Sequence, residues 1–165
     1  MLDGHSGKGS KSSSAMELRR RLESMTIQRE TDEANIRQRI NRWVEALHAM
    51  DLEGVMSLYA PDIVSFDIVP PLRHVGAKAK EKNWAHAFTM YQRPLGYEIH
   101  DLTLTLGDDV TFGHSLNRIS GTLKNGNRTN FWVRWTRAFG RSTATGSSRT
   151  TRSQCLSIRR AAERY

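Results

Sequence analysis

Asn125-Gly126 divides two long runs in which apolar and polar residues alternate, and no other feature of the chain restricts its fold as tightly. An Asn-Gly pair supplies the left-handed backbone positions of a tight hairpin turn, so the flanking runs are expected to pair antiparallel. In the first run, residues 110–123, Val110, Phe112, His114, Leu116, Arg118 and Ser120 share one face. The second run, residues 129–139, is dense in Trp132, Val133, Trp135 and Phe139. Gly107-Asp108-Asp109 marks another turn, and residues 97–106 before it read as a third strand rich in Thr and Leu. The second half of the chain is thus expected to be a meander of long strands.

The first half has a different period. In residues 32–50, Ile36, Ile40, Trp43, Leu47 and Met50 recur at helical spacing, with Asp32 placed to cap the start. Asp51 offers a second N-cap, before the short helical stretch L-E-G-V-M-S-L-Y-A. Residues 76–91 carry Trp84, Phe88 and Tyr91 on one helical face, and Pro94 follows. Between these helices lies I-V-S-F-D-I-V-P-P-L-R-H-V-G, residues 63–76. It begins as a strand with Val64, Phe66 and Ile68 on one face and Ile63, Ser65 and Asp67 on the other. It stops at Pro70-Pro71 and turns through Arg73, His74 and Gly76. An acid in so apolar a run is either turned to solvent by the alternation or held in a pocket. Helices first, then a meander, make this an α+β domain with helices packed on one strongly curved sheet.

Composition narrows the function classes. Of the formal net charge of +8, the segment after Phe139 supplies +5, from six Arg and one Glu. The remainder is near balance, so nucleic-acid binding is not expected. No run approaches the length of a membrane span, and the polar N-terminus has no apolar core of a signal peptide, which fits a cytoplasmic protein. Cys155 is the single cysteine, which excludes an internal disulfide and a cysteine-based zinc site. No His, Asp and Glu residues fall at metal-ligand spacing, and no phosphate loop, dinucleotide fingerprint or Gly-x-Ser-x-Gly elbow is present, so neither a metal nor a cofactor is expected. The order suggests a flexible segment at 1–31, a domain at 32–139 and an atypical Ser/Thr/Arg-rich tail at 140–165.

The succession D-L-E-G-V-M-S-L-Y-A-P-D, F-D-I-V-P-P-L-R-H-V-G, G-D-D-V-T-F-G-H-S-L-N-R-I-S-G-T-L-K-N-G and F-W-V-R-W-T-R-A-F resembles the SnoaL-like family, within the superfamily of nuclear transport factor 2 and ketosteroid isomerase. The resemblance implies a cone-shaped α+β barrel, N-terminal helices on a curved, mainly antiparallel sheet, and a cavity open at one end. It also implies a small apolar ligand and a homodimer. Asp67 matches the catalytic base of the steroid isomerases, an acid in the first strand before a Pro and a Gly. Trp43 and Trp132 stand where those enzymes carry Tyr and Asp oxyanion donors, which argues against steroid isomerisation.

By the same resemblance His114 and Arg118 line the cavity as catalytic partners of Asp67, with Asn130, Trp132 and Arg134 beside them. Trp43, Tyr59, Phe66, Trp84, Phe88 and Leu116 complete the expected ligand-binding set. The implied chemistry is proton transfer of isomerase, cyclase, dehydratase or hydrolase type, with Asp67 as general acid or base. The alternative is a non-catalytic ligand-binding or dimerisation module of the same fold. The residues themselves leave three further readings open: Asp67 as a turn residue, His114 as an ordinary sheet histidine, and Arg118 as a structural ion-pair partner.

After Phe139 the alternation collapses, where the family ordinarily continues into the last strand of its barrel. One back-translation of residues 140–157, with a single base restored before it, reads R-K-I-D-G-H-W-L-I-A-H-D-Q-V-S-V-P-L, which resembles that ending. The expectation is therefore that a one-base deletion replaced the last strand with an out-of-frame tail. Residues 129–139 would then be left as an exposed, Trp-rich edge.

Overall fold

A computed structural model describes residues 9–67, 70–142 and 150–158. The chain divides into two compact units, Met1–Asn35 and Ile36–Tyr165. Helix α1 is Gly9–Ala49. In the first unit, the arm expected to be flexible is helical from Gly9, and residues 1–8 lie outside the described residues. Asp32 is therefore inside a helix rather than at its cap, and accepts a hydrogen bond from Gln28 Nε2 at 3.1 Å.

In the second unit, Ile36, Ile40, Trp43 and Leu47 of α1 are almost fully buried, as their spacing predicts. The helix ends where Met50 adopts a left-handed φ of 49°, and Asp51 N–H reaches back to Ala46 O at 2.8 Å. Helix α2 (Leu52–Met56) begins after Asp51, which occupies the N-cap position but makes no side-chain cap bond. Strands β1 (Val64–Phe66) and β2 (Arg73–Val75) form an antiparallel pair, followed by α3 (Ala77–Met90). The segment after Pro70-Pro71 is thus a second strand, where the sequence suggested only a turn; residues 68–69 lie outside the described residues.

The meander is β3 (Gly96–Leu106), β4 (Val110–Thr122) and β5 (Arg128–Ser142), each antiparallel to the next. The Asn125-Gly126 hairpin forms with Thr122 opposite Arg128. Gly126 takes a φ of 87°, which a side chain would resist, and its N–H donates to Leu123 O at 2.9 Å. Asp101, at a φ of 54°, marks the bulge that shifts the β3–β4 register between His100 and Thr103.

Two expectations are corrected here. The tail contributes a ninth element, β6 (Thr150–Ile158), antiparallel to β5 and parallel to β1, so β5 is an interior strand and not an exposed edge. The second concerns the cone-shaped barrel. The strand order is β2-β1-β6-β5-β4-β3, which leaves β2 and β3 as the two edges. Closure requires those edges to pair, and they do not. The architecture is α+β, with helices packed on an open sheet that is neither closed nor strongly curled.

The core lies between the helices and one face of this sheet. It joins Ile36, Ile40, Trp43 and Leu47 to Val55, Leu58, Tyr59 and Ile63, and to Tyr97, Trp135 and Phe139 from the strands. We call this covered face the inner face. Its phase is plain on β4, where Thr111, Gly113, Ser115 and Asn117 are buried and the intervening Phe112, His114 and Leu116 are exposed.

Candidate functional site

The register carries the inner face from strand to strand. His74 pairs with Ser65, Ser65 with Cys155, Cys155 with Arg137, and Arg137 with Gly113. Residues directly opposite each other project to the same side of a sheet. Ser65, His74 and Arg137 therefore belong to one row of the inner face, and each is buried. Asp67 continues the Ser65 phase one step beyond the end of β1.

Asp67 stands at the centre of a polar cluster. Its side chain is 17% exposed, and Oδ2 is 2.9 Å from Lys80 Nζ and 3.7 Å from His74 Nε2. Its backbone N–H donates to Leu72 O at 2.9 Å, which fixes the turn before β2. Lys80 comes from the first turn of α3, where Gly76 and its φ of 81° redirect the chain from β2 into the helix. The ammonium also donates to Asn83 Oδ1 at 3.0 Å and lies 5.3 Å from the Trp84 ring. Asp67 and Lys80 thus satisfy each other in a partly buried setting, where a lone charge would be costly.

His74 is the third member. Burial, and then the Lys80 cation, push its pKa below the usual histidine range, against the opposing pull of Asp67. In the unfolded chain the imidazole takes its proton near pH 6.5; in the folded chain it does so only at lower pH. The unfolded state therefore binds the proton first as pH falls. The contribution of neutral His74 to stability is complete above about pH 6.5 and is lost as pH drops through the folded pKa. Urea denaturation between pH 7 and pH 5 is expected to show a shallower acid loss in His74→Gln than in wild type. Parallel curves would mean that His74 is not held neutral.

Trp84 joins this cluster to an aromatic cage. Its Nε1 donates to Tyr59 Oη at 3.1 Å, and its ring meets Trp43 edge to face with centroids 6.0 Å apart. Trp43 in turn packs edge to face on Tyr97 at 5.1 Å. Within the cage lies the Arg137 guanidinium, fully buried, its carbon 4.1 Å from the Trp135 ring centre, 4.9 Å from Trp43 and 5.2 Å from Tyr59. On β4, Ser115 Oγ donates to Asn117 Oδ1 at 2.8 Å, and Asn117 Nδ2 to Tyr97 Oη at 2.7 Å. A carboxylate, an imidazole, the Lys80 and Arg137 side chains and several indole and phenol rings therefore share one layer.

The structure places the sequence-derived residues in two groups. Asp67, Trp43, Tyr59, Trp84 and Phe88 lie on the covered side or pack against the core. His114, Leu116, Asn130, Trp132 and Arg134 are exposed, as is Phe66, and Arg118 shares the His114 phase. The expected convergence of His114 and Arg118 with Asp67 does not occur, because the alternation sends those two side chains to the other face of the sheet. Arg118 instead donates to Asn130 Oδ1 at 3.0 Å and lies 3.5 Å from Glu98. Trp132 packs on the His100 ring at 4.9 Å. Sequence reasoning missed His74, Lys80, Ser65, Asn117 and Arg137. The usable signal was the hairpin register, which pairs Ser115 with Trp135 and Gly113 with Arg137.

Among the described residues no three His, Cys, Asp or Glu side chains cluster as metal ligands, and no helix is long and apolar enough to cross a membrane. The sequence matches no curated protein. Among solved structures, an NTF2-like protein of unknown function from Pseudomonas putida KT2440 is 27% identical, with a TM-score of 0.64 over 78% of this chain and 84% of its own. A ketosteroid isomerase-like protein from Erwinia carotovora atroseptica SCRI1043 is 23% identical, with a TM-score of 0.60 over 77% and 96%. A candidate dehydratase of the NTF2-like family from Streptomyces avermitilis is 14% identical, with a TM-score of 0.63 over 79% and 98%. The latter two likenesses are of fold. The SnoaL-like domain model matches residues 40–153, most of the chain. With the helices, the sheet and the buried acid in place, the chain belongs to the SnoaL-like family of the NTF2-like superfamily.

Proposed function

We propose that the inner face binds a small, largely apolar molecule and moves a proton on it, with Asp67 as the general base. The observation that carries this reading is the Asp67 carboxylate, held 2.9 Å from buried Lys80 and 3.7 Å from His74 beside a layer of indole and phenol rings. A carboxylate at this distance from the ring layer is of the right kind to accept a proton from a bound molecule. A carbon next to a carbonyl is the natural donor, since its proton leaves as an enolate forms. The enolate oxygen then needs hydrogen-bond donors within a water-poor site, and the buried His74 and Trp43 side chains are of the right kind. Isomerisation, cyclisation and dehydration all begin with this step. In this reading His74 and Lys80 take the supporting roles that the sequence suggested for His114 and Arg118.

Asp67→Asn keeps an acceptor for Lys80 but removes the base. The variant is expected to lose about 10²- to 10⁴-fold in turnover on any enolisable carbonyl compound that the wild type converts, with ligand affinity retained. Single-turnover kinetics with deuterium exchange at the α-carbon measure this. Unchanged exchange would remove Asp67 from the chemistry.

A second reading, a dimerisation module, is favoured by one observation. The outer face of the sheet exposes Val110, Phe112, Leu116 and Trp132, with Phe112 56% exposed. Exposed large apolar side chains on one face are of the kind found at association sites. A homodimer through this face is expected to weaken to monomer in a Phe112→Glu, Leu116→Glu double variant, as read by sedimentation equilibrium. A wild type that sediments as a monomer would end this reading.

A further inference from the structure

We propose that the helical arm of the first unit pairs with the same arm of a second copy of this chain, antiparallel, about a two-fold axis near Leu22. The inference depends neither on the inner face nor on the outer face of the sheet. Among the described residues of the first unit, α1 is the only element, and every side chain over residues 13–31 is exposed. Leu18, Leu22 and Met25 recur at spacings of four and three, which stacks them in one stripe, and they are 59%, 54% and 41% exposed. A helix draws most of its stability in water from an apolar stripe laid against a partner, and little from its own hydrogen bonds. The alternating four-three spacing is that of a seam between two helices. Arg29 and Asp32 continue the same stripe.

Charge selects the occupant and its direction. Residues 9–21 carry Lys11, Arg19, Arg20 and Arg21 against Glu17, a net of +3. Residues 22–35 carry Glu23, Glu30, Asp32 and Glu33 against Arg29, a net of −3. Ion pairs along the helix within either half leave these sums unchanged. A second arm laid antiparallel sets each half against its opposite. A parallel arm sets each half against its like, with Arg29 on Arg29 and Asp32 on Asp32 in the seam. An anionic membrane surface would attract the first half and repel the second. The boundary between the halves falls at Arg21-Leu22, and the middle of the stripe from Leu18 to Met25 falls at the same place. One axis there serves both the apolar contact and the charge match. It also brings residues 12–15, S-S-S-A, opposite Arg29 and Asp32, and such small side chains leave room for them.

The test reads the arm itself in the full-length chain. A nitroxide is attached in Thr26→Cys or Ser14→Cys, each in a Cys155→Ser background, and distances between copies are measured by electron paramagnetic resonance at about 100 µM chain. About an axis at Leu22, a rise of 1.5 Å per residue and a helix spacing of 8–10 Å place the two Thr26→Cys labels about 15 Å apart and the two Ser14→Cys labels about 25 Å apart. Parallel pairing gives about 10 Å at both and overturns the assignment. Leu22→Glu is expected to abolish the coupling, with association at least roughly 10-fold weaker and Tm unchanged, since the side chain is exposed. Phe112→Glu with Leu116→Glu is expected to leave both distances in place. Should Cys155→Ser fail to fold, sedimentation equilibrium of the wild type against Leu22→Glu reads the same contact. Arms without coupling in the wild type, or coupling that survives Leu22→Glu, overturn the proposal. Coupling lost only in the sheet-face variant overturns it in favour of that face. Binding of a monomeric chain to phosphatidylglycerol vesicles, abolished by Leu22→Glu, overturns it in favour of a membrane surface. None of these outcomes touches the proton-transfer reading, which Asp67→Asn tests separately.

Discussion

Trp43→Ala is expected to destabilise the fold by about 3–5 kcal/mol, the cost of emptying a fully packed indole position. Trp43 is 2% exposed and lies among the rings of the inner layer. It packs edge to face on Tyr97 and Trp84, tilts against Trp135, and lies under the Arg137 guanidinium. Each aromatic contact is worth about 0.5–1.5 kcal/mol beyond the area it buries, and the substitution removes them together. Against a total stability of about 5–15 kcal/mol, the loss leaves a marginal protein. Trp132→Ala is the internal control. Its indole is 38% exposed on the outer face, and its removal should cost less than about 1 kcal/mol. Urea denaturation followed by far-UV circular dichroism compares the two. Similar losses would mean that the sheet buries the Trp132 face and not the Trp43 face.

A stop codon after Ser142 should have the largest effect of all. It removes β6, which is hydrogen-bonded to β5 over nine residue pairs and to β1 on its other side. In the strand order β2-β1-β6-β5-β4-β3, β6 is the link between the β1–β2 pair and the meander. Each ladder bond contributes roughly 0.5–1.5 kcal/mol net, so losing both ladders is comparable with the whole stability of a domain. The truncated chain is expected to lose cooperative thermal unfolding and to aggregate through the uncovered edge of β5. A soluble truncation with an unchanged Tm would mean that β6 contributes nothing to the fold.

How far the sequence could be read follows from these elements. The helix face of Ile36, Ile40, Trp43 and Leu47 was legible because a spacing near 3.6 residues admits one reading. The hairpin was legible because Asn125-Gly126 fixes its turn. On β4 a period of two gives two faces, and nothing within one strand says which is covered. Both phases carry polar residues, and the one with His114 and Arg118 looked more chemical than the one with Gly113, Ser115 and Asn117. The choice belonged to the partner strand, where Trp135 and Phe139 share a phase that the hairpin pairs with Ser115 and Thr111. His74 was hidden for a different reason. Three residues are too few to display alternation, so Arg73–Val75 read as part of a turn. Lys80 was hidden because a lysine near the start of a helix is ordinarily solvated. The open sheet was unreadable, since closure depends on whether two edges meet and not on any one strand.

The place of β6 has one further consequence. It holds β1 and β5 through main-chain hydrogen bonds, in opposite directions on its two sides. The distance and phase between the Asp67 side of the layer and the Arg137 side are therefore measured out by backbone geometry. A slip of one residue would have to break two ladders at once and would turn the partner strands to the wrong face. The segment works as a ruler whose markings are peptide groups. The spacing of β1 and β5 is thereby set by main-chain pairing over Thr150–Ile158.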